Sequence, residues 1–314
     1  MNVSNNPDIA ELPPPPPGKT GWPWSGEPAK LPPQAEGGRS WPLISLVTPS
    51  LNQARFLEQT IRSVLLQGYP ALEYIIIDGG SDDGSLEIIK RYEPWLSYWV
   101  SEPDEGQSQA INKGFRRAGG EVAGWLNSDD LLYPGALAAV GRARLAHPEA
   151  KVIYGAGAKV DHEGRLSKEI PQRPYDPGLL AARCYFLQPG TFMEREALAA
   201  VNLLDEKLRY AMDWDLWIRL CRKGPAVSLP QRLGMLRVYP DTVTNTGGWA
   251  RRRELAEIGR RHNGPLDKNW LAFWPLYFCA RLDEKLPGPL FAWAGKALRR
   301  LFDLAFGRDT YMVR

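Results

Sequence analysis

Two adjacent carboxylates, Asp129 and Asp130, close the stretch Gly124-Trp125-Leu126-Asn127-Ser128-Asp129-Asp130, directly after an apolar run over 122–126. Such a run reads as a buried strand, and Asn-Ser-Asp-Asp is turn chemistry at its end. In an open α/β sheet, the loops at the carboxyl ends of the strands form the ligand crevice. Carboxylates there, beside a hydroxyl and an amide, suit a hard divalent cation that bridges to phosphate oxygens. The plainer reading is a solvated turn, and the Asp-Asp pair alone does not separate the two. Further on, Asp213-Trp214-Asp215 opens a segment whose Leu216, Trp217 and Leu220 share a helical face. A carboxylate at a helix start is a favourable cap.

These groups need elements to position them. Residues 43–48 read as a strand that turns at Pro49-Ser50-Leu51-Asn52 into an amphipathic helix. Its apolar residues Phe56, Leu57, Ile61, Val64 and Leu65 recur at near-helical spacing, and Gly68 marks its stop. A second strand over 72–77 ends at Asp78-Gly79-Gly80-Ser81-Asp82-Asp83-Gly84, and Ser85 can cap a short helix over 86–91. An extended segment over 96–100 and a helix over 107–118 precede the strand that ends at Asp129. This βαβα alternation argues for an α/β fold with a mostly parallel, doubly wound sheet. Thr48, Asp78 and Asp129 then end three strands on one edge. Beyond Asp130 the sequence predicts a helix over 134–146, a strand over 151–154, and a hairpin over 157–170 turning at Glu163-Gly164. Gln188 to Met193 then lead to another helix.

No G-x-G-x-x-G follows the first strand and no P-loop is present, so a glycine cradle for phosphates is missing. The acidic spacing of 78–84 does not suit an EF-hand. A net charge of +3 over 314 residues gives no general grip on nucleic acid. Three cysteines without metal or redox spacing fit a reducing compartment. No apolar run reaches the roughly 18 residues that span a bilayer, and no signal-peptide core opens the chain. The expected location is cytoplasmic, soluble or peripheral on the inner face of the membrane.

Residues 1–40 are rich in proline and glycine. They read either as a polyproline ligand for a partner or as a tail clamped on the main domain by Trp22 and Trp24. Residues 249–314 alternate aromatic and basic stretches. Within them, 270–306 could pack on the domain or on a second subunit, or lie in a membrane interface. His147, His162 and His262 read as solvated turn or helix-end residues.

The chain resembles the family-2 inverting glycosyltransferases with the GT-A fold. The resemblance is carried by ISLVTPSLN (44–52), YIIIDGGSDDGS (74–85), GQSQAINKG (106–114), GWLNSDD (124–130) and MDWDLWIRL (212–220). It implies a GT-A catalytic domain over 41–248, with a nucleotide-sugar half over 41–130 and an acceptor half over 131–248. Thr48, Pro49, Ser50 and Asn52 would line the base and ribose, and Asp78 would accept from the base. Gly79, Gln107, Asn112, Asn127 and Ser128 would complete the nucleotide-sugar site. Asp129, supported by Asp130, would hold Mn2+ or Mg2+. Asn127 stands where the family's D-x-D motif has its first Asp. Many relatives also carry Arg-x-His downstream, where this chain reads Arg237-Val238-Tyr239. Arg237 is then at most a diphosphate contact, and a third metal ligand stays open.

The same resemblance makes Asp213 the general base. Displacing a nucleoside diphosphate from an anomeric carbon needs charge neutralised on the leaving phosphate. It also needs a proton taken from the attacking hydroxyl, and a single in-line displacement inverts the centre. The implied donor is a nucleoside-diphosphate sugar, and the implied acceptor is a glycan or lipid-linked hydroxyl in cell-surface polysaccharide assembly. Without a Q-x-x-R-W signature, the transfer is expected to be non-processive. Two other readings stay open. One is a nucleotidyltransferase of sugar phosphates, although the chain lacks the usual Gly-rich basic first loop. The other is a non-catalytic sugar-nucleotide-binding assembly partner.

Overall fold

A computed structural model of the chain describes residues 7–26 and 30–285, with side chains to 278, and positions 293, 297 and 300. Of the stretch 270–306, the part beyond 285 lies outside these residues apart from the isolated positions. The described chain falls into two compact units. The first comprises the chain to Tyr175, Phe186–Glu206 and Arg219–Tyr239; the second comprises Asp176–Tyr185, Lys207–Ile218 and the chain from Pro240 on.

The first unit is built on one sheet. Its elements in chain order are β1 (Ile44–Ser50), α1 (Ala54–Leu65), β2 (Leu72–Asp78), α2 (Ser85–Tyr92), β3 (Tyr98–Ser101), α3 (Gln107–Arg117) and β4 (Val122–Trp125). They continue with β5 (Leu131–Leu132), α4 (Ala136–Ala146), β6 (Val152–Val160) and β7 (Leu166–Ile170). The short helix α5 (Pro177–Ala182) belongs to the second unit, before β8 (Thr191–Glu194) and α6 (Arg195–Ala200). Helix α7 (Met212–Cys221) is followed by β9 (Ala226–Arg237). The strand order is β3-β2-β1-β4-β8-β6-β9-β5, with β7 on β6.

The expected parallel sheet is found in β3, β2, β1 and β4. Past β4 the sheet turns mixed, since β8 runs antiparallel to both β4 and β6 while β9 is parallel to β6. Every residue of β1, β2 and β4 is buried, which is why these strands read as continuous apolar runs without alternation. Between the sheet and α1 lie Ile44, Leu46, Leu57, Ile61, Tyr74, Ile76 and Leu126. On α3, a Cβ at Gly114 would collide with Val47, so this helix reaches β1 only because it carries glycine there. The hairpin β6–β7 turns at Gly164 with φ +86°, as its Glu-Gly pair predicts.

The proline-rich tail is a clamp. Arg62 of α1 is wholly buried and donates to the carbonyls of Pro13, Pro23 and Trp24 at 2.8, 3.2 and 3.3 Å. Its guanidinium lies 5.3 Å from the Trp24 ring, and the Trp22 indole donates to the Leu132 carbonyl at 2.8 Å. A buried cation needs such acceptors, and the tail supplies them.

The second unit contains the start of α7, α8 (Val243–Thr246), α9 (Gly248–Asn263) and α10 (Lys268–Lys285). Ala272, Phe273 and Leu276 of α10 pack on Ala256 of α9.

Candidate active site

The strand register brings three polar strand ends level. Ser50 pairs with Asp78 across β1 and β2, and Leu126, just past β4, donates to Val47 of β1. Thr48 is buried, with its hydroxyl 3.1 Å from the Tyr74 hydroxyl. The Ser50 hydroxyl is also buried, yet it has no hydrogen-bond partner among the described residues. A buried hydroxyl normally finds a protein or water partner. Asn52 adopts a left-handed φ of 51°; its amide donates to the Ser81 hydroxyl at 2.8 Å and its Oδ1 accepts from Asp82 at 3.0 Å. Pro49 lies within β1. A Cβ at Gly79 would come within 2.7 Å of the Asp104 carboxylate, a side-chain tip that would have to move aside.

Asp78, expected to accept from a base, is wholly buried and accepts from its own loop. Its Oδ2 takes the amides of Gly80 and Ser81 and the Ser101 hydroxyl, and its Oδ1 takes the Ser81 hydroxyl. Asn112, expected in the nucleotide site, is 1% exposed. Its amide donates to the Leu204 carbonyl and to Glu206, and its Oδ1 accepts from the Leu204 amide. In both cases the side chain is taken up by protein groups, Asp78 by the loop after β2 and Ser101, and Asn112 by Leu204 and Glu206.

The turn after β4 is fixed from beneath. Thr60 of α1 donates to the carbonyls of Ser128 and Asp130 at 2.9 and 2.8 Å. Asp130, expected beside a metal, is 1% exposed. Its Oδ1 accepts the backbone amide of Arg237 at 2.7 Å, and its Oδ2 accepts from Asn127 at 3.1 Å. Arg237, expected at a diphosphate, turns its guanidinium inward. Its Nε donates to the Asp129 carbonyl at 2.7 Å, and its other nitrogens donate to Asp161, His162 and Gln59. The Phe56 ring lies 4.6 Å from the same guanidinium.

What this support leaves forward is Asp129. It keeps partial exposure, and its Oδ2 accepts from the Tyr239 hydroxyl at 2.9 Å. Burial raises its pKa against the hydrogen bond from Tyr239. Burial and then the charge of Asp129 raise Asp130 well above the carboxylate range. Asn127 joins the turn to its neighbours, since its Oδ1 accepts from Gln107 at 2.7 Å and its amide also donates to Gln188 at 3.1 Å. Gln188 in turn donates to the Trp125 carbonyl at 2.8 Å.

Gln188, Tyr239, Thr60 and Gln59 escape the sequence reading. Only Tyr239 leaves a signal there, as the residue standing in place of a histidine.

In the second unit, α7 starts at Met212, and Asp213 sits in its first turn. Leu216 and Trp217 are buried, and the Trp214 indole donates to the Leu180 carbonyl at 2.6 Å. The two acids of the turn differ. Asp213 accepts the Trp214 amide at 2.7 Å. Burial lifts its carboxyl to about 6, the Trp214 amide and the Arg251 charge opposing and Glu254 adding. Asp215 has a fully buried side chain and meets His262 Nε2 at 2.8 Å and Arg261 at 3.2 Å. His262 is thus no solvated helix end, because its side chain is only 4% exposed against a carboxylate 47 positions away. His147 and His162 are about half exposed, as expected.

The sequence pattern described as Glycosyl transferase family 2 matches residues 45–198. An uncharacterized glycosyltransferase of Rickettsia typhi is 28% identical over 65% of this chain and 67% of its own length. The O-antigen biosynthesis protein RfbC of Myxococcus xanthus is 30% identical over 69% of this chain, which spans 18% of RfbC. Among solved structures, S. aureus TarS 1–349 in complex with UDP-GlcNAc superposes with a TM-score of 0.58 at 15% identity, covering 84% of this chain and 81% of that one. The mannosyltransferase PcManGT of Pyrobaculum calidifontis, in complex with GDP-Man and Mn2+, gives 0.53 at 19% identity, over 85% and 76%. The strand ends, the turn at Asp129 and the matched stretch agree: through residues 45–198 the chain belongs to glycosyltransferase family 2, on a GT-A fold.

Proposed function

We propose that the chain transfers a sugar from a nucleoside-diphosphate donor to a hydroxyl acceptor, with inversion and with help from Mn2+ or Mg2+. The observation that carries this reading is the split at the β4 turn. Asp130 and Arg237 are tied inward, so that Asp129 is the carboxylate offered at the strand ends. Similarity to folds bound to UDP-GlcNAc and GDP-Man supports a donor of that class.

The residues fit a divalent ion. No group of three or more His, Cys, Asp or Glu able to hold a metal gathers among the described residues. A magnesium-type site needs only one or two carboxylates when substrate phosphates complete the shell. Asp129 would be that carboxylate, next to Asn127 and Ser128. Two adjacent acids whose ionised forms repel favour a nearby cation. Such an ion neutralises charge on the departing diphosphate.

Ser50 Oγ, unpaired and buried at the end of β1, would meet the nucleoside, with Thr48, Pro49 and Asn52 shaping its pocket. Gln107 and Gln188 would orient Asn127 toward the donor. Asp213 would accept the acceptor hydroxyl's proton as the new glycosidic bond forms and the sugar–phosphate bond breaks, then release it to solvent. A carboxyl with pKa about 6 is a stronger base than an ordinary aspartate and is still ionised at neutral pH. The similarity to an O-antigen biosynthesis protein supports an acceptor among cell-surface glycans, including lipid-linked ones. A lipid-linked acceptor would bring the chain to the inner face of a membrane.

The test is nucleoside diphosphate release from a panel of sugar nucleotides, with and without Mn2+ or Mg2+. It compares wild type with Asp129→Ala and Asp213→Asn. Metal-dependent release from one donor, reduced by both substitutions, is expected. Release that neither substitution changes would put the chemistry elsewhere.

A further inference from the structure

Helix α10 has two apolar faces, and among the described residues only one is covered. Ala272, Phe273 and Leu276 pack on Ala256 of α9. Leu271, Trp274 and Phe278 follow the i, i+3, i+7 spacing of a single helical stripe, and they are 39%, 37% and 57% exposed. Leu266, in the turn that leads into the helix, is 81% exposed. An exposed stripe of large apolar residues marks an interaction surface more often than chance.

The surroundings of the stripe say which kind. Trp270 stands 5.7 Å from Trp274, and Trp274 stacks on Phe278 at 6.1 Å. At one end of this ladder the Arg260 guanidinium lies 5.1 Å over Trp270. On another side Tyr277 meets Trp249 at 5.4 Å, and Arg252 lies 4.9 Å over Trp249. The apolar stripe is therefore rimmed by cations on aromatic rings. Charge is also unevenly spread along the chain. From Trp249 to Arg314 there are thirteen Lys and Arg against seven Asp and Glu, whereas the whole chain carries only +3, so the remainder is net acidic. No helix among the described residues is long and apolar enough to cross a membrane.

We propose that the face of α10 bearing Leu271, Trp274 and Phe278, with Arg252 and Arg260 at its rim, docks on an anionic lipid surface. Trp and Tyr favour the headgroup level, arginine can bury its stem and keep its charge among phosphates, and a helix with an apolar stripe and basic flanks lies in the interface plane. A second copy of the chain would bury the stripe equally well but gains nothing from a basic rim facing another basic rim. The inference does not rest on the catalytic reading, since no residue of the stripe belongs to the proposed site.

The experiment is sedimentation of the full chain with phosphatidylcholine vesicles, with and without phosphatidylglycerol. It compares wild type with the triple variant Leu271→Ser, Trp274→Ser, Phe278→Ser and with the double variant Arg252→Gln, Arg260→Gln. Circular dichroism and donor hydrolysis serve as checks on folding. Wild type is expected to sediment with the anionic vesicles and to be released by salt. The triple variant is expected to bind at least about tenfold more weakly, since each lost apolar side chain removes inserted area. The double variant is expected to lose the preference for phosphatidylglycerol. No binding of folded wild type to anionic vesicles would overturn the proposal. So would equal binding by the triple variant, or a dimer in light scattering that the triple variant abolishes while vesicle binding stays absent. If the triple variant fails to fold, the double variant, altered only at surface cations, decides alone: unchanged preference for anionic vesicles would overturn it.

Discussion

The turn after β4 and the first turn of α7 each carry two acids close in sequence, and each pair divides its labour alike. In the first unit Asp130 is buried and accepts from Arg237 and Asn127, while Asp129 faces forward with Tyr239 on one oxygen. In the second unit Asp215 is buried against His262 and Arg261, while Asp213 is left with an adjacent backbone amide and a pKa near 6. One acid anchors the turn, and its neighbour is the one to which the proposed function gives the chemistry. A lone acid on a flexible turn would wander, and reacting groups need placement to a fraction of an ångström. The comparison predicts that substitutions within one pair have unlike consequences.

The largest effect is expected at Asp213. Loss of a positioned general base removes about 10²–10⁴-fold in kcat, so Asp213→Asn should nearly silence sugar transfer. Its effect on stability runs the other way. The folded pKa lies above the ordinary 3.8, so the folded state holds the proton more tightly than the unfolded chain. Stability credited to this group is full below the ordinary value and is lost as pH rises toward about 6. At neutral pH the ionised carboxyl costs up to about 3 kcal/mol. Asp213→Asn should therefore unfold at a higher temperature than wild type at pH 7, and at nearly the same temperature in acid. The activity of wild type should rise with pH through about 6 and then level. A variant both inactive and destabilised at pH 7 would make Asp213 an anchor and undo the comparison.

Asp215→Ala should do the reverse. Leaving a buried donor without its acceptor costs about 1–3 kcal/mol, and Asp215→Ala takes the acceptor from the buried His262 and from the half-exposed Arg261. Thermal unfolding should shift down strongly. Donor hydrolysis per folded molecule, measured well below the new midpoint, should fall far less than in Asp213→Asn. Equal losses of activity at both positions would mean that the two acids act as one unit.

The availability of each acid is what the sequence conceals. The strands ending at Ser50, Asp78 and Trp125 are legible because a buried parallel strand is a continuous apolar run cut off by turn residues. The hairpin at Gly164 is legible because a left-handed position calls for glycine. Asn112, Asp130, Arg237 and His262 turn inward, which the sequence hides for one shared reason. A polar side chain that faces a ligand and one that is buried against a distant partner have the same letter. Their partners stand 92, 107 and 47 positions away, at Leu204, between Asp130 and Arg237, and at Asp215. Those separations depend on how β9 and α9 fold back, which no local pattern encodes. Ser50 is the converse case, a hydroxyl left without a partner in a strand where every neighbour is buried.

The smallest effect, and the finest test of the division, is at Tyr239. Its hydroxyl donates to Asp129 Oδ2 and its ring lies 5.1 Å from Phe56. Tyr239→Phe keeps the ring and removes only the donor. A hydrogen bond of this kind contributes about 1.5–2 kcal/mol net, the lower end for one made to a charged group, so the carboxylate should be held less firmly and its affinity for Mn2+ should drop by roughly ten- to thirtyfold. Electron paramagnetic resonance of free Mn2+ in a titration with nucleoside diphosphate present reads that change without turnover. The thermal midpoint should barely move, since the ring still packs. Tyr239→His would replace the phenol by a nitrogen able to bind a transition metal, and should favour Mn2+ over Mg2+ relative to wild type. If Tyr239→Phe left Mn2+ affinity unchanged while lowering the thermal midpoint, Tyr239 would belong with Asp130 and Arg237 among the anchors, and Asp129 would hold its place without it.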